Sequence, residues 1–197
     1  MMIENVVLMR MAKESLKGKW GLAVGTFLVY ILLSMAASII PVAGTLLVGG
    51  PLALGLALFV LSVSRGQEAE IEQLFKGFER FAVAFVAMLL ITLFVSLGFM
   101  LLIVPGIILS IAYSMTFYIL IDNPNFTSVE AMKKSRELMY GFKWKFFCLC
   151  LRFIGWLLLC VITLGIALLW VVPYMHVSFA KFYDALLTNK NEGINEL

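Results

Sequence analysis

No Asp, Glu, Lys or Arg occurs between Lys19 and Arg65, between Arg80 and Asp122, or between Arg152 and Lys181. Each gap is too long for one crossing of a bilayer. The first holds 45 residues, about 68 Å as helix against roughly 30 Å of hydrocarbon, which leaves room for two spans and a turn. The second, of 41 residues, leads to the same result. The third is shorter, but its apolar stretch begins at Phe146 and includes Arg152 near one end, where a long side chain can snorkel to the headgroups. The pattern predicts six spans, at about 20–40, 45–64, 82–103, 105–121, 146–163 and 165–187.

Composition agrees with a lipid solvent. Of 197 residues, 62% are apolar and 14% charged, where a soluble domain carries roughly 45–50% and about 25%. One small core could not bury that excess. A net charge of +3 is too small to point to nucleic acid, and disorder, collagen and coiled coil are excluded by the same composition. With six spans, alternate connections share a side, and one set of connections holds all 15 Lys and Arg if Arg152 is placed at the mouth of the fifth span. Positive charge stays on the cytoplasmic side, so both termini are expected inside and three uncharged hairpins outside. The 12 acidic residues lie on the inner side too, so the loops are mixed in sign rather than a polybasic trap for anionic lipid. Met1 to Trp20 has no uninterrupted apolar run of the kind a cleaved signal needs, and reads as an amphipathic helix on the inner surface.

The segments before the three hairpins resemble one another. Leu16-Lys17-Gly18-Lys19-Trp20, Phe75-Lys76-Gly77-Phe78-Glu79 and Met139-Tyr140-Gly141-Phe142-Lys143-Trp144 each set a Gly after a charged, amphipathic stretch and before a span. A Gly there can take the left-handed position that ends a surface helix. Thr127-Ser128-Val129-Glu130 supplies a capping box for the third surface helix. Prolines mark the turns or second spans: Pro41 and Pro51, Pro105, and Pro173, with Pro51 and Pro173 expected to kink or break their helices. The expected fold is all-α: a single membrane domain over 1–197 whose six transmembrane helices form three hairpins, each preceded by a cytoplasmic interfacial helix. The repeat units fall at 1–64, 65–121 and 122–197. Residues 41–51 fit either a turn or a short re-entrant piece.

No phosphate loop, His-Glu-x-x-His, Gly-x-Ser-x-Gly or dinucleotide fingerprint is present, so no catalytic, cofactor-binding or metal-binding residue is assigned. Cys148, Cys150 and Cys160 lack a second His or a nearby carboxylate and read as free thiols in a helix. No carboxylate lies deep in a span, which disfavours transport driven by protons or sodium. Gly21-x-x-x-Gly25, with Ala36, Ala37, Gly55 and Gly98, permits close helix contacts within the chain or between copies. Arg152 and His176 are the strongly polar side chains within the apolar stretches, and their mean position falls on the turn between the last two spans. In an antiparallel hairpin they lie at equal depth. Arg152 either snorkels, pairs with Asp122 or Asp184, or holds a phosphate or carboxylate in an inward-facing pocket with His176. Arg152, His176, Tyr174 and Asp122 form the candidate amphiphile-binding set.

From Pro105 onward the residues Pro105-Gly106-Ile107, Tyr113-Ser114-Met115, Tyr118-Ile119-Leu120, Asp122 and Pro124 carry a resemblance. It continues through Ala131, Ser135, Leu138-Met139, Gly141, Lys143-Trp144, Phe153-Ile154-Gly155-Trp156, Trp170, Pro173-Tyr174 and Phe182-Tyr183. With Leu16-Lys17-Gly18, Trp20, Leu74-Phe75 and Gly77-Phe78 as weaker N-terminal signatures, nearly the whole chain resembles the bacterial integral-membrane family called "domain of unknown function 975". The resemblance implies a polytopic protein of the bacterial cytoplasmic membrane and supplies no activity.

Two functional classes follow. The first is a non-enzymatic accessory or scaffold protein whose inner-face helices engage a partner membrane protein or a second copy. The second is a binder or transporter of a lipid-like amphiphile through an inner-leaflet cleft. A centre filled with side chains favours the first, and lipid-length space between hairpins the second.

Overall fold

Backbone N–H and C=O groups in a long apolar stretch must find partners within the chain, and the charge-free segments do so as helices. The computed structural model describes residues 3–39, 43–163 and 165–195, among which there is no strand. In chain order the helices are α1 (Asn5–Leu16), α2 (Trp20–Ser38), α3 (Ala43–Ser64), α4 (Gln73–Lys76), a 3-10 turn (Gly77–Arg80), α5 (Phe81–Leu101), α6 (Ile103–Tyr113), α7 (Thr116–Asp122), α8 (Ser128–Leu138), α9 (Lys143–Ile162) and α10 (Leu168–Asn195). Among the described residues four stretches are long and apolar enough to cross a membrane: Trp20–Ala37, Leu46–Ser64, Gln73–Leu101 and Ile103–Asp122. They match the first four expected segments; α9 and α10 occupy the last two.

The packing is organised around α3. Of the Leu46–Ser64 stretch 67% is buried, against 17% in both Trp20–Ala37 and Gln73–Leu101. Helices α1, α2, α4, α5, α7 and α10 all touch α3, and α10 also packs on α1, α2, α8 and α9. Phe27, Phe59, Phe153, Phe182 and Tyr183 fill the centre, each at most 1% exposed. The outer faces of α2 and α5 stay apolar, with Leu32, Met35, Leu93 and Phe94 exposed. Leu8, Ala12 and Leu16 recur at every fourth residue of α1 and are fully buried, so the apolar stripe of this helix faces protein, chiefly α10.

The expected signals at helix ends are partly realised. Thr127 and Glu130 form the capping box that starts α8, with Thr127 N–H donating to Glu130 Oε2 at 2.8 Å. Gly18 and Gly141 take φ of +81° after α1 and α8. Gly77 differs, with φ of −61°. Its place is set by contact, since a Cβ there would fall on the carbonyl oxygen of Pro51 and lie 2.6 Å from the Gly55 nitrogen. Gly21 and Gly25 make no close contact within the chain, since a Cβ on either meets nothing within 4 Å. The close approaches run through Gly55 against Leu74 and through Gly98 against Gly106.

Pro51 and Pro173 lie inside α3 and α10 and break neither helix. Pro41 lies outside the described residues, while 43–51 is helical and continuous with the rest of α3. The break comes elsewhere, between α6 and α7. Ser114 Oγ donates to the Ile111 carbonyl and Thr116 Oγ1 to the Tyr113 carbonyl, both at 2.8 Å, so hydroxyls take up acceptors that helix N–H groups would otherwise use. The expected helix at 105–121 is therefore two pieces.

Candidate functional site

The strongest polar arrangement forms where α3 and α7 end beside the middle of α10. Arg65 follows the last residue of α3. Its two terminal nitrogens donate to Asp122 Oδ1 and Oδ2, each at 2.7 Å, in the two-pronged geometry that suits guanidinium and carboxylate. The same side chain donates to Asp184 Oδ1 from Nε at 3.1 Å and from Nη2 at 2.7 Å. Around this core, Tyr183 OH donates to Asp122 Oδ2 at 3.0 Å, Ser64 Oγ to Asp184 Oδ2 at 3.5 Å, and Lys181 Nζ to the Ser64 carbonyl. The rings of Tyr118 and Tyr183 stack at 5.5 Å beneath.

Two cations and two carboxylates make the group neutral, and every carboxylate oxygen accepts a bond. Side-chain exposures of 29% for Arg65, 22% for Asp122 and 29% for Asp184 place it at the rim of the core. The hydrogen bond to Asp122 raises the Arg65 pKa above its ordinary value; burial opposes this and the bond to Asp184 adds to it. Arg65 is a permanent cation here.

Further bonds draw the neighbouring helix ends to the same side. Lys19 Nζ, just before α2, donates to the Gln67 carbonyl at 2.8 Å, and Asn5 Nδ2 to the Lys145 carbonyl at 2.9 Å. Arg80, before α5, donates to the carbonyls of Leu120 at 2.6 Å and Phe126 at 3.2 Å. A cation on the last-turn carbonyls of α7 also suits that helix's dipole.

The four residues singled out from the sequence do not meet. Asp122 belongs to the Arg65 cluster. His176 faces inward, its ring 5.1 Å from Phe27 and 6.1 Å from Phe179, on a cavity of about 240 Å³ that Tyr30, Met115 and Tyr118 also line. Tyr174, two residues earlier and so about 200° around α10, packs edge-on against Phe153 at 5.4 Å and Trp156 at 6.3 Å. Arg152 is exposed on α9 and makes no hydrogen bond or ion pair among the described residues. Distance from a turn sets depth along a hairpin; it does not set direction around a helix axis. The Arg152–His176 pair is absent for that reason, and the alternative pairing of Arg152 with Asp122 or Asp184 is displaced by Arg65.

Arg65 is the residue that sequence reasoning passed over. It reads as an ordinary loop cation after a span. One signal was available: Arg65, Asp122 and Asp184 stand at similar distances after Gly18, Gly77 and Gly141 and carry opposite charges.

No curated protein and no solved structure matches the chain. A family model does, over residues 2–111 and 98–190, and by that match the chain belongs to the family described as protein of unknown function (DUF975).

Proposed function

We propose that the chain is a six-span, non-enzymatic protein of the bacterial cytoplasmic membrane, with both termini inside, that serves as an accessory or scaffold protein presenting a fixed inner face to a partner membrane complex. The observation that carries this reading is the Arg65 cluster. A carrier that alternates access must part its helix ends on each side in turn. Here the ends of α3 and α7 are held to the middle of α10 by one guanidinium whose partners are fully engaged. A centre filled by Phe27, Phe59, Phe153 and Phe182 points the same way. The cavity beside His176, about 240 Å³, falls below the roughly 300–1,000 Å³ of ordinary ligand sites. The starts of α2, α5 and α9, the ends of α3 and α7 and the Asp184 stretch of α10 gather on the side that carries the basic residues, which supports three hairpins of parallel topology.

Topology is tested by labelling intact cells with a membrane-impermeant maleimide, in a chain whose native cysteines are replaced by serine. Leu102→Cys, in the exposed turn between α5 and α6, is expected to label from outside. Glu68→Cys is expected to label only after lysis. The reverse pattern rejects the orientation, and labelling of both from outside rejects the six-span arrangement.

Fixity is tested by spin labels at Gln67, Asn125 and Thr188, read as pairwise distances in lipid bilayers by double electron–electron resonance. A scaffold gives one narrow distribution for each pair across lipid compositions. Two populations that exchange weight with lipid composition would identify a moving carrier and remove the scaffold reading.

A further inference from the structure

On the far side of α10 from His176 lies a groove lined by Lys13, Trp20, Trp156, Trp170, Val171 and Tyr174. Three of the chain's four tryptophans thus converge on one place. They come from three helices, α2, α9 and α10, with Lys13 from α1. Trp156 and Trp170 remain 45% and 48% exposed, although Trp156 packs on Tyr174 at 83° between rings. The side chains therefore wall an open surface rather than close a core.

Arg152 stands one helical turn before Trp156, so both project from the same face of α9. Lys13 and Arg152 are exposed, and neither has an ion-pair partner among the described residues. An exposed cation whose stem lies along an apolar wall offers charge to an anion whose apolar body can lie against the same wall.

We infer that this groove binds the headgroup-proximal part of an anionic phospholipid. The aromatic walls cover the first methylenes of one acyl chain; the volume of about 150 Å³ takes that portion and no more. Trp20, at the start of α2, fits the preference of indoles for the depth of the ester and phosphate groups, and its N–H is a donor only. Lys13 and Arg152 supply charge for the phosphate, Arg152 as a two-pronged donor and Lys13 as a point charge. A zwitterionic lipid brings a quaternary ammonium toward the same two cations, which disfavours it. A single lipid seated here would link α1 to α9 and α10.

The inference rests on the membrane reading above, and its test separates the two. Trp144 lies in another groove, between α6 and α9, so a Trp144→Phe chain reports on the groove tryptophans alone. Reconstituted in phosphatidylcholine vesicles, it is titrated with dibrominated phosphatidylglycerol or dibrominated phosphatidylcholine, and tryptophan quenching is followed. With each basic residue near an anionic lipid worth about fivefold, half-quenching by brominated phosphatidylglycerol is expected at a mole fraction at least about fivefold lower. Lys13→Gln with Arg152→Gln should abolish that preference while helical content is retained. Equal quenching by the two lipids, or a preference unchanged in the double variant, overturns the inference and leaves the membrane reading standing. Absence of quenching by either lipid in a folded chain overturns both.

Discussion

Gly77→Ala is expected to be the most damaging single substitution in the chain. The added methyl group meets the Pro51 carbonyl and the Gly55 nitrogen, both backbone atoms of α3, so no side chain can rotate away. Overpacking costs about 1–3 kcal/mol where neighbours can adjust. Here the 3-10 turn and α3 must move apart, and the cost should exceed about 3 kcal/mol. Gly55→Ala attacks the same contact from the other side, since its methyl group meets the Leu74 carbonyl. Gly21→Ala and Gly25→Ala meet nothing within 4 Å and serve as controls that gain helix propensity. Thermal unfolding in detergent, followed by circular dichroism, measures the series. A Gly77→Ala protein that unfolds at the wild-type temperature would show that the α3 contact is not close-packed.

Arg65→Ala comes next. It leaves Asp122 and Asp184 with Lys181 as the one remaining cation of the cluster, bonded to the Ser64 carbonyl and not to a carboxylate, and Tyr183 and Ser64 supply only single hydrogen bonds. Removing one partner of a fully buried ion pair costs about 3–5 kcal/mol. With between a fifth and a third of each side chain exposed, solvent screens part of that, and about 2–3 kcal/mol is the expected loss. Most of it should return when the carboxylates are removed as well, in an Arg65→Met, Asp122→Asn, Asp184→Asn chain. The comparison isolates the unpaired charge from the lost packing. If the triple variant is no more stable than Arg65→Ala, the cluster acts through shape and not through charge. A cycle pairing Arg65→Ala with Asp122→Ala should report a larger coupling than one with Asp184→Ala, because Asp122 uses both its oxygens on the guanidinium.

What could be read in advance was whatever depends on charge and local chemistry. The gap between Lys19 and Arg65 placed α2 and α3 to within a few residues, because a charged side chain cannot sit in the middle of either. Thr127 and Glu130 announced the start of α8 through their own hydrogen bonds, and Gly18 and Gly141 announced the corners through φ. The break at Ser114 and Met115 was not legible, since no Gly or Pro stands there and hydroxyls that bond back along a helix look like any others. Gly77 shared the motif of Gly18 and Gly141 but answers to a tertiary contact that no local pattern encodes. The directions in which Arg152, Tyr174 and His176 leave their helices depend on how α9 and α10 rotate against α1 and α3. Arg65 escaped notice because its meaning lies in two residues far along the chain.

That separation has a bearing on how the molecule is made. Arg65 precedes Asp122 by 57 residues and Asp184 by 119. At about 5–20 residues per second, a ribosome delivers the second carboxylate on the order of ten seconds after the guanidinium. During that interval Arg65 has at most one carboxylate partner, and α3 has not yet received α10. The ion-pair network is therefore completed last, and its completion marks a chain whose final helix has arrived in register.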